Sequence, residues 1–100
     1  MKYEKSNDGT SLRLILDKKM TAVTADEVER ALHGQLVGVK NFTVDMKDLV
    51  YISSAGLRFL LNAQKYINSN GGFMTIENIA PEIMEIFQTT GFNEVLDIKN

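Results

Sequence analysis

Residues 48–57 read DLVYISSAGL, and they lie between two stretches that have different apolar periods. Before them, apolar residues alternate with polar ones over residues 42–46, which is the period of a β-strand with two chemically different faces. After them, apolar residues recur every three or four positions over residues 57–67, as in an amphipathic helix. The stretch therefore predicts a strand that turns into a helix.

Two adjacent serines, Ser53 and Ser54, occupy the predicted turn. Serine is a favoured N-cap because its hydroxyl accepts a hydrogen bond from the first unpaired amides of a helix. Ala55 and Gly56 would leave the start of this helix open to another surface. An exposed hydroxyl at this position can be a cap, an anion ligand or a site of phosphate attachment, and residue chemistry alone favours the cap.

Length and composition narrow the function classes. The chain has 100 residues, a length that fits a single domain over residues 1–100. Its net charge is −2. Lysine and arginine are scattered, so a basic stripe for nucleic acid is missing. Cysteine is absent and His33 is the one histidine, which argues against thiolate or histidine metal sites. No apolar run reaches the roughly 20 residues of a membrane span and no signal-peptide pattern opens the chain, so we expect a cytoplasmic protein.

The remaining elements follow the same alternation of strands and helices. We predict an N-terminal hairpin from an edge strand over residues 1–5, a turn at residues 7–9 and a strand over residues 11–16. A helix is predicted to begin at Thr24, with Glu27 completing a capping box and Gly38 ending it, and His33 on its polar side. Further elements are a helix over residues 54–68, a strand over 73–76, a helix over 81–91 and a last strand over 94–98. The predicted class is α/β, with a mixed sheet and helices packed on it.

Three segments, taken in order, resemble one protein family. Residues 53–57 (SSAGL) resemble the Asp-Ser-(Ser/Thr/Ala)-Gly-Leu signature of STAS domains, the bacterial anti-sigma-factor antagonists. Residues 20–25 (MTAVTA) resemble the family's Leu-Asp-x-x-Thr-Ala segment, and residues 80–92 resemble its C-terminal Ser-Pro…Leu-Phe…Gly-Leu pattern. The resemblance spans nearly the whole chain and implies a STAS-like fold in which the terminal helix of many members is missing.

The resemblance also implies a function and a site. The chain would bind a serine-kinase anti-sigma factor and be switched off by phosphorylation of a serine at a helix N-terminus. In the family register that serine is Ser54, with Ser53 less favoured because it stands at the family's aspartate position. The expected partner-binding residues are Thr21, Thr24, Ser53, Ser54, Ala55, Gly56 and Arg58. We expect a monomer, with a weak dimer as the alternative, that contacts neither nucleic acid nor membrane.

Enzymatic chemistry is not favoured by these residues. Asp45 and Asp48 lie near the serines in sequence, but the single histidine cannot be placed beside them to activate a nucleophile, and no glycine-rich phosphate loop is present. We therefore predict no catalytic residue, cofactor or metal. Two alternatives stay open: a STAS module that is never phosphorylated and serves in a larger assembly, such as a transporter's cytoplasmic subunit, or a small-molecule or nucleotide binder.

Overall fold

The computed structural model describes residues 1–99, in which strands and helices alternate after an opening hairpin. In chain order the elements are β1 (Lys2–Lys5), β2 (Ser11–Ile15), β3 (Lys19–Met20), α1 (Ala22–Ala31), β4 (Asn41–Asp45), β5 (Tyr51–Ile52), α2 (Ser54–Ser69), β6 (Phe73–Glu77), α3 (Pro81–Thr90), α4 (Phe92–Val95) and β7 (Asp97–Lys99). The predicted α/β class is confirmed.

The main sheet is mixed and has the strand order β1-β2-β4-β6-β7. Strand β1 runs antiparallel to β2, and the other neighbouring strands are parallel. The register aligns Leu14 with Val44 and Val44 with Ile76, so one face of three adjacent strands carries a row of apolar side chains. All three side chains are buried, so this is the face on which the helices pack. The antiparallel pairing of β1 with β2 and the parallel pairing of the other strands confirm the predicted hairpin and mixed sheet.

Helix α2 supplies the largest helical share of the core. Its Leu57, Leu60 and Ile67 are buried while Arg58 is exposed, so the predicted phase of its apolar face is confirmed. The helix contacts β5, β6 and α1. The buried side chains that α1 and α3 add to the same core are Ala25, Val28, Ile83 and Phe87.

The opposite face of the main sheet is polar and holds a buried carboxylate, Asp45. The Arg13 guanidinium bridges two strands, with Nη1 3.1 Å from Asp45 Oδ2 and Nη2 2.9 Å from Glu77 Oε1. Asp45 Oδ1 also accepts hydrogen bonds from Asn78 Nδ2 at 3.1 Å and from the Lys47 amide at 3.0 Å. Burial raises the pKa of Asp45, but these hydrogen bonds and the charges of Lys47 and Arg13 outweigh it, so its pKa lies below the ordinary value.

A second, two-stranded parallel sheet, β3–β5, was not predicted. Lys19 pairs with Tyr51 and Met20 with Ile52, at the point where each strand leads into a helix. Strands of two residues are too short to show an alternating apolar pattern, so the sequence does not predict them.

Helix α1 differs from its prediction at both ends. It begins at Ala22, because the capping box is formed by Thr21 and Thr24 rather than by Thr24 and Glu27. Thr21 leaves β3 in an extended conformation, with ψ of 179°, so the cap falls directly after the strand. The helix ends at Ala31 and is followed by turns over residues 32–38, so His33 is exposed beyond the helix instead of on its polar side.

The last predicted strand, over residues 94–98, is also corrected. Gly91 adopts a left-handed conformation with φ of 80° and ends α3, after which the short helix α4 forms. The Leu96 amide donates to the Phe92 carbonyl at 2.9 Å, so Glu94 and Val95 belong to this helical turn. The strand β7 is therefore confined to Asp97–Lys99, where it pairs with β6.

Candidate functional site

The starts of α1 and α2 lie side by side because β3 and β5 are paired. Thr21 follows Met20 and Ser53 follows Ile52, and these two strand residues are register partners. The Ser53 amide donates to the Met20 carbonyl at 2.8 Å, which ties the two helix starts together directly. The two segments that sequence reasoning placed in one surface, residues 21–24 and 53–58, are therefore adjacent.

The two serines have different surroundings. Ser53 is the N-cap of α2, and its Oγ accepts a hydrogen bond from the Gly56 amide at 3.2 Å. Ser54 is the first helical residue and is exposed. Within residues 1–99 the Ser54 hydroxyl has no hydrogen-bond partner. One serine therefore holds the helix end, and the other offers a free hydroxyl to solvent.

The hydroxyl groups of the two threonines at the start of α1 form hydrogen bonds with backbone groups. The Thr24 amide donates to Thr21 Oγ1 at 3.2 Å, and the Thr21 amide donates to Thr24 Oγ1 at 2.6 Å. Thr24 Oγ1 also lies 3.0 Å from the Lys19 carbonyl, to which it can donate. Both residues are half-buried, so their hydroxyls shape the helix start rather than extend from it.

Gly56 has a different role from the one expected of it. We predicted that Gly56 is part of an open surface that a partner could approach, but the residue is buried. A Cβ at this position would lie 2.7 Å from Ile52 Cγ1 and 3.0 Å from Met20 Cγ. The glycine therefore allows α2 to approach β3 and β5 closely, and the accessible part of the site consists of its neighbours.

A shallow cleft runs between α1 and the first half of α2. It has a volume of about 160 Å³ and is lined on the α1 side by Ala22, Asp26 and Glu29, and on the α2 side by Ala55 and Arg58. Small side chains at its mouth give another surface room to approach. Asp26 is paired with Arg30, one turn along α1. Within the described residues, the exposed Arg58 takes part in none of the ion pairs.

Two exposed apolar side chains near the helix starts were missed by sequence reasoning. Val23, in the first turn of α1, is 67% exposed, and Tyr51, on β5, is 49% exposed. Tyr51 is the register partner of Lys19, so an aromatic ring and a cation lie next to the paired helix starts. Exposed aromatic residues are frequent anchors of protein–protein contacts. Because β5 has only two residues, no alternation in the sequence marked Tyr51 as outward-facing.

Within residues 1–99, the titratable side chains do not form a catalytic group around the serines. Asp45 is bound to Arg13 and Asn78 on the polar face of the sheet, and Asp48 is exposed. His33 lies elsewhere, on a groove of about 440 Å³ between the end of α1 and the second half of α2, which Tyr66 also lines. Among residues 1–99, no cluster of His, Cys, Asp and Glu could hold a metal ion, and no helix is both long and apolar enough to cross a membrane.

Comparisons with known proteins agree on one family. The family model described as the STAS domain matches residues 4–100. The proposed anti-sigma factor antagonist BtrV of Bordetella bronchiseptica is 29% identical over 82 residues, which are 81% of this chain and 71% of BtrV.

Three solved structures, of two proteins, have the same fold. A proposed anti-sigma factor antagonist from Thermotoga maritima superposes with a TM-score of 0.87 at 19% identity, over 99% of this chain and 85% of that one. The anti-sigma factor antagonist SpoIIAA in its unphosphorylated form gives a TM-score of 0.82 at 12% identity, over 99% of this chain and 89% of SpoIIAA. SpoIIAA in its phosphorylated form gives 0.70 at 15% identity, over 99% and 90% of the two chains.

Proposed function

Because this chain belongs to the STAS domain family, we propose that it is an anti-sigma-factor antagonist whose partner is a serine-kinase anti-sigma factor and whose binding ends when Ser54 is phosphorylated. The observation that carries the proposal is the free, exposed hydroxyl of Ser54 at the first residue of α2. Relatives of matching sequence or fold bear the name of antagonist, and SpoIIAA has been solved with and without phosphate.

Local geometry supports Ser54 as the acceptor rather than Ser53. The Ser53 oxygen accepts the Gly56 amide, so attaching a phosphate there would disturb the cap of α2. The Ser54 oxygen has no such task, and a phosphate on it would lie at the positive end of the helix dipole. The fold should therefore tolerate modification at Ser54.

The proposed switch follows from the cost of burying a charge. A phosphate adds about −1.5 to −2 charges and three acceptor oxygens. A partner packed closely on the unmodified Ser54, with Ala55 next to it in the first turn of α2, would have to take this charge out of water and into the interface. That costs several kcal/mol, and each 1.4 kcal/mol is a tenfold loss of affinity.

The test is capture of a partner from a lysate of the organism that carries the chain. The parent and Ser54→Ala should retain an anti-sigma-factor kinase, and Ser54→Asp should lose it, with recovered phosphopeptides carrying phosphate on Ser54. Asn68→Asp is the matched control, because it adds the same charge at an exposed position near the other end of α2.

Two outcomes would contradict the proposal. Phosphate found on Ser53 would mean that the switch is assigned to the wrong serine. Ser54→Asp capturing the partner as the parent does would remove the switch, and Ser53 at the family's aspartate position would then favour the second candidate, a STAS module that binds without being phosphorylated.

A further inference from the structure

Ser54 and Arg58 are one helical turn apart on the exposed side of α2. Residues four apart in a helix lie on the same face, with their Cβ atoms about 5–6 Å apart. Helical side chains lean toward the N-terminus, so the Arg58 side chain, which lines the cleft beside Ala55, can reach the turn that begins with Ser54. Arg58 forms no ion pair with another described residue, so its guanidinium is free to bind a new anion.

We propose that Arg58 binds the phosphate of phosphorylated Ser54, forming an intrahelical clamp that exists only in the modified protein. The inference rests on the proposed function for the identity of the modified residue. Guanidinium and phosphate form strong charge-assisted hydrogen bonds, often two at once. The clamp adds a second effect to phosphorylation: besides introducing charge, it withdraws Arg58 from the surface offered to the partner.

Backbone groups beside Ser54 favour the same arrangement. The Gly56 and Leu57 amides are already bound, to the side chain and the carbonyl of Ser53 respectively. The Ser54 and Ala55 amides have no acceptor among residues 1–99, so they can donate to phosphate oxygens while Arg58 holds the other side.

Other charges near this turn set the background for the clamp. Across the cleft lie Asp26 and Glu29 of α1, of which Asp26 is already paired with Arg30. On the strand side lie the cation Lys19 of β3 and its register partner Tyr51 of β5. Glu29 competes with the phosphate for Arg58, but a dianion one turn away on the same helix attracts the guanidinium more strongly than one carboxylate on another helix.

The test measures the phosphate itself. Phosphoserine is installed at position 54 by recoding its codon, so neither kinase nor partner is needed. The second pKa of the phosphate is then followed by 31P NMR in the parent, Arg58→Gln, Arg58→Lys and Lys65→Gln. Lys65→Gln is the matched control, since it removes an exposed cation from a later turn of α2.

We expect the phosphate of the parent to titrate about half a unit below that of Arg58→Gln, in which only the helix dipole and the Ser54 and Ala55 amides still lower the pKa from its ordinary value near 6. Arg58→Lys should restore part of the difference, and Lys65→Gln should titrate like the parent. The Arg58 Nε–H resonance should also move when phosphate is present. Equal phosphate pKa values in the parent and Arg58→Gln would overturn the clamp while leaving the proposed function intact. A clamp measured in a protein that no kinase modifies would support the inference and count only against the proposed function.

Discussion

The amide of Gly56 donates to the hydroxyl oxygen of Ser53 at 3.2 Å, and this hydrogen bond gives the two adjacent serines unequal structural roles. Ser53 closes the first turn of α2 from outside the helix. Ser54 is one residue further along, and its side chain makes no hydrogen bond to the rest of the described chain.

Removing each hydroxyl should therefore have a different effect on stability. Ser53→Ala should lower the free energy of unfolding by about 1 kcal/mol, the usual cost of a lost N-cap. Ser54→Ala should change it by less than about 0.5 kcal/mol, because the residue is exposed and unbonded. Urea denaturation of both variants checks this, and equal losses would mean that the cap is misassigned.

Charge reversal at Arg58 should affect binding and not folding. Arg58 is exposed and forms no ion pair within residues 1–99, so Arg58→Glu should change the free energy of unfolding by less than about 0.5 kcal/mol. If the partner covers the start of α2, its affinity should fall at least tenfold, or about 1.4 kcal/mol. Calorimetry with the captured partner measures this. Lys65→Glu is the control, and unchanged affinity for Arg58→Glu would move the interface elsewhere.

Leu60 should be a costly residue to truncate on α2. Its side chain is completely buried between the helix and the sheet, so Leu60→Ala should cost about 2–5 kcal/mol through lost contacts and a cavity. Asn62→Ala, at an exposed position on the same helix, serves as the control in urea denaturation. A loss below roughly 0.5 kcal/mol would show that the helix phase is wrong.

The Asp45 carboxylate should make the free energy of unfolding depend on pH in the acid range. Its pKa is depressed in the folded protein, so the stability it contributes is present above the unfolded value near 3.9 and is lost as pH falls through the folded value. Asp45→Asn should cost about 1–3 kcal/mol at pH 7, because Arg13 and the Asn78 and Lys47 donors lose a charged acceptor. Urea titrations at several pH values should show this difference shrinking below about pH 4. A difference independent of pH would contradict the depressed pKa.

Gly72 should tolerate no side chain. A Cβ there would lie 2.6 Å from the carbonyl oxygen and 2.9 Å from the Cα of Lys40, which are backbone atoms directly before β4 and cannot rotate away. Gly72→Ala should therefore cost at least about 1–3 kcal/mol. Gly56→Ala should cost less, since it contacts side chains of Ile52 and Met20 and gains helix propensity. Thermal unfolding of the two variants gives the order, and the reverse order would contradict this reasoning.

The elements predicted from the sequence are those long enough to show several repeats of an apolar period. Strand β4 and helix α2 each show several repeats of their own period, and both were placed correctly within a few residues. The hairpin followed from the turn at Gly9, which adopts a φ of 76°. The family resemblance then supplied Ser54, which residue chemistry alone did not separate from Ser53.

Other features depend on tertiary contacts that no local pattern contains. Both Thr21 and Thr24 begin a sequence that could form a capping box, and the pairing of β3 with β5 decides in favour of Thr21. The burial of Gly56 and the exposure of Tyr51 have the same origin, because both depend on how α2 sits on that pair of strands. Val95 was predicted to lie in a strand, but the left-handed conformation of Gly91 leads the chain into α4, which contains Val95.

The pairing of Met20 with Ile52 also determines when the site comes into being. The two residues are distant in sequence, so the helix starts meet only after a long loop of chain has closed, and a synthetic peptide of residues 50–69 would carry both serines without their setting. An enzyme that recognises both helix starts would thus leave unfolded or nascent copies unmodified. The small sheet therefore makes the candidate site complete only in chains in which β3 and β5 have paired.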